Sequence, residues 1–352
     1  MIKLLLLGSW ALASCFVSAQ NNSQYVNVFI GTDGTGHTFP GPSMPFGMVQ
    51  PGPDNKDGDW AYTSGYQFRD TAILGFSQTH LSGTGIGELG DILLLPFKES
   101  KDSRLKYILL KNTEKASVGY YTVTKKDNVK VELTASERVA FHRYTYPAKD
   151  ARLFIDFQHG IRFLTDSLVL ESLVKTDDNQ TISGYCHTRN WVERKYFFVV
   201  KFDLPYVKSE MLPKGSKENA PKYILDFKLN ESKTLQVKIA LSTVDVAGAK
   251  LNLETEIPGW NFDKVKQNAV RVWNEYLGRI DIEAGSKQKQ IFYTSLYHLL
   301  LQPSNIADLN GKYRGADDKI AVAATNEYYS TLSIWDVYRG AFPCSRLLHR
   351  KK

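Results

Sequence analysis

Residues 129–135 read VKVELTA, and residues 138–146 follow with RVAFHRYTY. In the first run Val129, Val131, Leu133 and Ala135 fall on one side of an extended chain, with Lys130, Glu132 and Thr134 opposite. That period of two predicts a strand with one face in a core and the other toward water, because successive side chains of an extended backbone point to opposite faces. The same texture spreads from Gly119 onward through YYTVTKK, ARLFIDF, TISGY, KYFFVVKFD, KYILDFKL and LQVKIALSTV, with polar turns between them. Many short strands at close spacing, with no helices between, predict a β-sandwich rather than a parallel α/β sheet.

Toward the amino terminus the texture changes. Val26 to Asn55, VNVFIGTDGTGHTFPGPSMPFGMVQPGPDN, packs glycines and prolines around one imidazole and several apolar side chains. No helix or regular strand survives that composition, and the prolines stiffen what the glycines loosen. The segment is predicted to be an ordered loop that builds a surface. Ser64 to Phe97, SGYQFRDTAILGFSQTHLSGTGIGELGDILLLPF, repeats the pattern around His80.

Toward the carboxyl terminus, FDKVKQNAVRVWNEYLGRI places Val265, Ala269, Val272, Trp273 and Tyr276 three and four apart, which predicts an amphipathic helix capped by Asn261. A second helix, roughly Lys287 to Gln302, aligns Ile291, Leu296, Leu299 and Leu300 and ends at Pro303. A third, Thr331 to Leu348, carries the string WDVYR. Pro258-Gly259 marks the boundary between sandwich and helices.

Several residue patterns carry chemistry. Gly85, Gly87 and Gly90 have the spacing of a dinucleotide-binding turn, but that turn must open a helix, and DILLLP beyond it reads as a strand. His37 and His80 sit in glycine-rich loops, where an imidazole can bond sugar hydroxyls or brace backbone carbonyls. Trp60 follows Asp57-Gly58-Asp59, an exposed turn, and its indole offers either a stacking face for a pyranose ring or ordinary packing. Asp336 lies in a helical stretch, facing water, a ligand or Arg339 in the next turn. Asp70, Glu88 and Asp91 are assigned structural roles, as turn caps or loop braces.

The order FIGTDGTGHTFPG, PFGMVQPGPDN, SGYQFRD, ILGFSQTHLSGTG and ELGDILLLP resembles the amino-terminal signature of glycoside hydrolase family 92, the exo-acting, calcium-dependent α-mannosidases. Tyr328 to Pro343, YYSTLSIWDVYRGAFP, is similar to an early helix of that family's catalytic domain. The resemblance implies a mainly β fold: a large β-sandwich (a supersandwich) over residues 20–259, then a linker helix and the first helices of an incomplete (α/α)6 barrel over 260–352. It implies inverting release of terminal α-1,2-linked mannose, with mannose-containing glycans as partners. The family takes its catalytic acid, base and calcium ligands from barrel sequence beyond this chain, so no catalytic residue and no calcium site is assigned here. The substrate-binding set is Trp60, Asp336, His37, His80 and Arg339. The final RLLHRKK departs from the family pattern, which reads as a truncated or frameshifted copy, inactive alone. The other reading is a non-catalytic carbohydrate-binding sandwich or a gene remnant. Without the rest of a barrel, the apolar faces bearing Trp273, Tyr276, Leu299 and Trp335 are expected to lack cover.

Composition sets limits. At 352 residues and 43% hydrophobic, the chain can bury a sizeable core. Its net charge of +7 is concentrated at the ends, in Lys3, Arg346, Arg350, Lys351 and Lys352, so the body is close to neutral and carries no nucleic-acid footprint. Residues 1–19, with Lys3, LLLLGSWALA and Val17-Ser18-Ala19, read as a signal peptide cleaved before Gln20, for a mature protein in the periplasm of a Gram-negative bacterium. A lipoprotein box at Leu12 to Cys15 is the competing reading, and membrane attachment would follow only from lipidation of Cys15.

Overall fold

The computed structural model describes residues 21–99, 101–162 and 168–330, together with 341 and 344. Its strands are β1 (Gly52–Asp54), β2 (Gly75–Ser77), β3 (Leu93–Phe97), β4 (Leu109–Ser117), β5 (Tyr120–Lys125), β6 (Lys130–Ala135), β7 (Val139–Thr145), β8 (Asp150–Asp156), β9 (Val169–Asp178), β10 (Thr181–Arg189), β11 (Glu193–Phe202), β12 (Tyr206–Met211), β13 (Lys222–Lys228) and β14 (Thr234–Ser242). They form two antiparallel sheets, ordered β1-β2-β3-β8-β13-β12 and β4-β5-β6-β7-β14-β11-β10-β9. Between the sheets lies one continuous core in which Val131 and Leu133 meet Phe76, Leu94, Leu153, Ile155, Val237 and Ile239. The fold is mainly β, a large sandwich followed by helices, as the strand texture predicts.

The helices are α1 (Val246–Glu256), α2 (Phe262–Leu277) and α3 (Ser286–Leu299). The side chain of Asn261 accepts from the Lys264 amide at 3.0 Å and so caps α2, satisfying one of the donors a helix start leaves open. Helix α1 is not legible in the strand-like run before it. Asp245 caps it by accepting from Gly248 N at 2.7 Å, and small residues such as Ala249 let it lie close on the large sheet.

The strand β6 differs from the expected half-buried pattern. Glu132 and Thr134, assigned to water, are 5% and 0% exposed. The outer face of the large sheet is roofed by α1 and α2, through a second cluster of Val139, Phe141, Val199, Leu253, Ile257 and Phe262. Glu132 is accommodated there because Arg143 Nε bonds it at 3.0 Å and the Tyr120 hydroxyl donates to it at 2.6 Å. A buried charge without such partners would be strongly destabilising.

The expectation of uncovered helices is likewise corrected where the structure describes them. Trp273 is 0% exposed, and it shares a third cluster with Val28, Phe39, Phe46, Tyr293, Tyr297 and Leu300, against which Tyr276 and Leu299 also pack. Its indole N–H donates to the Ser43 carbonyl at 2.6 Å. The amino-terminal loop itself supplies the cover: Asn27 N donates to Thr294 Oγ1 at 3.0 Å, and Phe46 N to Leu300 O at 2.8 Å. Trp335 and the rest of the third expected helix, apart from Ala341 and Cys344, lie outside the described residues. After α3, the short hairpin β15 (Lys312–Arg314) and β16 (Ile320–Val322) leads to Ser330. Among the described residues, no helix is long and apolar enough to cross a membrane.

Candidate functional site

The two glycine-rich loops lie against each other, and the turn that joins them brings Trp60 to His37. Their rings meet edge to face, with centroids 4.5 Å apart at an interplanar angle of 75°. His37 is 6% exposed and Trp60 52%, so the imidazole sits behind an indole open to solvent. The floor under Trp60 is Gly85: a Cβ there would come within 2.9 Å of the indole Nε1, so only a glycine lets the ring lie this close. His37 has a φ of 52°, a left-handed conformation costly for a residue with a Cβ, and the fold holds it there by a bond from Gly83 N to its carbonyl at 2.7 Å.

The bonding of His37 fixes its chemistry. Thr63 has one hydroxyl proton, which it donates to the Thr84 carbonyl at 2.8 Å. His37 Nδ1, 2.9 Å from the same Thr63 oxygen, therefore donates its N–H to it. In the neutral ring Nε2 then carries a lone pair, and this buried nitrogen has no hydrogen-bond partner among the described residues. Burial lowers the His37 pKa from its ordinary value, which favours that neutral form. The result is an unsatisfied acceptor beside an exposed aromatic face.

His80 takes the bracing alternative. It is fully buried, with Nδ1 2.7 Å from the Gln50 carbonyl and Nε2 2.8 Å from Asp54 Oδ1, while its ring stacks on Phe39 at 5.2 Å. The other oxygen of Asp54 holds His159 Nε2 at 2.8 Å. Burial alone would raise the Asp54 pKa, but His80 and His159 outweigh it and hold the carboxyl well below the usual range. Burial likewise disfavours a charged His159, yet the bond to Asp54 prevails and its pKa is raised. His159, which sequence reasoning missed, follows β8 and lies far along the chain from either glycine loop.

The acids of the platform are all engaged. Asp91 accepts from Thr79 Oγ1 at 2.7 Å and pairs with Arg194 at 2.6 Å. Glu88 accepts from the amides of Trp191 and Val192 at 2.8 and 3.3 Å. Asp70 accepts from the Tyr62 hydroxyl at 2.5 Å, and Asp59 caps a short 3-10 turn through Ala61 N at 3.1 Å while pairing with Lys56 at 2.9 Å. Among the described residues, no group of three or more His, Cys, Asp or Glu side chains is arranged to hold a metal ion.

A cleft of about 530 Å3 is lined in part by the loop from Thr79 to Asp91. Its lining includes Asp91, Arg194, Tyr196, Gln302, Arg314 and Tyr328. His37, Trp60 and His80 do not line it. Ser330 does, and Asp336 and Arg339 lie outside the described residues, six and nine positions further along the chain. The sequence signal for this cleft was weak, because its lining comes from a hairpin, a loop and the segment after α3.

The amino-terminal domain model of glycosyl hydrolase family 92 matches residues 25–242, and the catalytic-domain model of the same family matches residues 248–352. A family GH92 α-mannosidase from Bacteroides thetaiotaomicron aligns with a TM-score of 0.84 at 31% identity, over 92% of this chain and 47% of that one. Its complex with mannoimidazole aligns equally well, over 46% of its length. A family GH92 inverting mannosidase from the same bacterium shares the fold at 22% identity and a TM-score of 0.78. A secreted glycosidase of Arthroderma benhamiae, itself uncharacterized, is 26% identical over 340 residues, 82% of this chain and 42% of the relative. The chain thus spans less than half the length of these relatives. With one family model matching most of the chain and its companion model matching the remainder in the same order, the chain belongs to glycoside hydrolase family 92.

Proposed function

We propose that this chain is the sugar-binding front of an exported, exo-acting α-1,2-mannosidase, and that His37 and Trp60 receive the mannoside at its platform. The observation that carries this reading is the lone pair of His37 Nε2, buried and unmet, beside the exposed indole of Trp60. A pyranose presents an apolar face and a rim of hydroxyls. The indole takes the face, and a hydroxyl donates to the nitrogen, replacing a lost hydrogen bond that would otherwise cost roughly 1–3 kcal/mol. Mannoimidazole bound to the Bacteroides relative supports a mannose-shaped ligand.

The chemistry requires more. Inversion needs a carboxylic acid at the leaving oxygen and a carboxylate that activates water on the opposite ring face, about 6.5–9.5 Å apart. The platform carboxylates are committed to arginines, amides, hydroxyls and histidines, so we assign the platform to binding and orientation. The acid, the base and the calcium ligands are assigned to the part of the relatives that this chain does not span, and Asp336 and Arg339 to contacts with sugar hydroxyls, as the family resemblance implies. On this reading the 352-residue chain binds mannosides without hydrolysing them, the behaviour of a non-catalytic sugar-binding module. Export with cleavage before Gln20, placing the mature chain in the periplasm, is the accompanying proposal, and the mass of the exported chain tests it; a lipid adduct on Cys15 would replace it with membrane attachment.

The test is calorimetric titration of the purified chain with α-1,2-mannobiose, with calcium present, and a parallel assay for free mannose. The expected result is binding that Trp60→Ala and His37→Ala each weaken, with no mannose released. Calcium-dependent release of mannose would refute the division of labour, and binding indifferent to both substitutions would refute the platform.

A further inference from the structure

The hairpin joining β10 to β11 turns through three residues, Asn190, Trp191 and Val192, between the paired Arg189 and Glu193. Its apex is a tryptophan that is 58% exposed, where glycine, asparagine or aspartate is the common choice. The turn is fastened from below. Glu88, 2% exposed, accepts from the amides of Trp191 and Val192, and the Asn190 carboxamide donates to the carbonyls of Gly87 and Ile161 at 2.7 and 2.8 Å. An exposed indole mounted on a buried carboxylate and two backbone carbonyls is held in place, which a solvated turn does not require.

The fastening leads to Trp60. Arg162, next to Ile161, donates its amide to Asp57 Oδ1 at 2.7 Å and pairs its guanidinium with the same carboxylate. Asp57 begins the turn that carries Trp60. Trp60 rests on Gly85, and Trp191 hangs from Glu88, three residues along one loop, a span of at most about 11 Å between backbone positions. The turns that carry the two indoles are therefore both anchored on a single short loop, with the Arg162–Asp57 pair joining them and the Arg162 side chain 44% exposed.

We propose that Trp191 and the Arg162–Asp57 pair form an outer subsite for a further α-linked mannose ring on the leaving-group side of the glycan. The indole stacks on the ring, and the guanidinium donates to its hydroxyls. The assignment rests on the mannoside reading of the Trp60 platform, and it makes the protein selective for chain length: a disaccharide engages Trp60 alone, whereas a longer chain engages both indoles.

Calorimetry on the 352-residue chain with α-1,2-mannobiose and with linear α-1,2-mannotetraose tests this. The tetrasaccharide is expected to bind about tenfold more tightly than the disaccharide, a stacking-sized difference. Trp191→Ala should erase that gain and leave mannobiose affinity unchanged, while Trp191→Phe should retain part of it. Equal affinities for the two sugars, or a length preference that survives Trp191→Ala, would overturn the outer subsite while leaving the platform standing. Mannobiose binding insensitive to Trp60→Ala would overturn the platform reading instead, and failure to bind either sugar would overturn both.

Discussion

His37 and His80 come from similar glycine-rich loops and end in opposite situations. His80 has a protein oxygen at each ring nitrogen and no exposure, and its carboxylate partner is shared with His159. His37 has one nitrogen satisfied and the other without a partner among the described residues, at the edge of an exposed indole. They differ in their supports as well. Asp54 and Ser77, beside His80, belong to the strands β1 and β2, whereas the loop of His37 passes over the helices through Phe39, Ser43 and Phe46. An imidazole becomes structural or available according to what the fold places at its second nitrogen.

That contrast can be broken most severely by ending the chain at Gly259. Removal of α2 and α3 strips the cover from Val28, Phe39 and Phe46, so the shortened protein should bind hydrophobic dye and lose mannobiose affinity while its sheets persist by circular dichroism. A shortened chain that is monomeric, dye-silent and still binds sugar would show that the helices do not support the platform.

Next in size is Asp54→Asn. Removing the charge shared by His80 and His159 breaks a fully buried ion-paired network and should cost on the order of 3–5 kcal/mol in denaturant unfolding. His37→Ala should cost far less while weakening sugar binding. Equal losses of stability from the two substitutions would erase the distinction.

The pH dependence should separate the two sites by sign. Asp54, with its pKa lowered, contributes stability above its ordinary value of 3.8 and loses it as pH falls toward the depressed one. His159, with its pKa raised, contributes below its ordinary 6.5 and loses that contribution as pH rises through its folded value. The clamp is therefore strongest between about pH 4 and 6.5, and Asp54→Asn should flatten the melting profile on both sides of that window. His37 runs the other way: its lowered pKa gives stability above 6.5 that falls away as acid protonates the ring, and sugar binding should fall with it, because a protonated Nε2 no longer accepts. Melting and titration series across pH would check both signs.

The smallest expected effect is His37→Gly, which relieves the left-handed backbone at φ 52° and should raise stability by about 1 kcal/mol while abolishing the acceptor. A variant both less stable and unable to bind would mean that His37 braces, as His80 does.

The strands, the capped helix α2 and the strand after Gly90 were legible because each rests on local periodicity or a local cap. Trp60 was legible as an exposed aromatic because its turn composition is local too. The roof over Glu132 and Thr134 was not, since the sequence of β6 contains no sign of the helix that lands on it more than a hundred residues later. The choice between His37 and His80 was equally hidden: it depends on Asp54, Thr63 and His159, brought together only by tertiary folding. Trp191 carries no local signal either, because Glu88, which holds its turn, lies about a hundred residues earlier in the chain.

The bonds that seat the amino-terminal segment on α2 and α3 also set an order of events during synthesis. Asn22 bonds the carbonyl of Leu277, 255 residues away, and Ser43 waits for Trp273. At about 5–20 residues per second, roughly 13 to 50 s separate translation of these partners. The two sheets can form in that interval, but the loop bearing His37 cannot be seated until the helices arrive. The loop bearing His37 is thus translated early and fixed late, a long-range closure of the kind that slows folding and leaves apolar loop residues exposed to chaperones and proteases in the meantime.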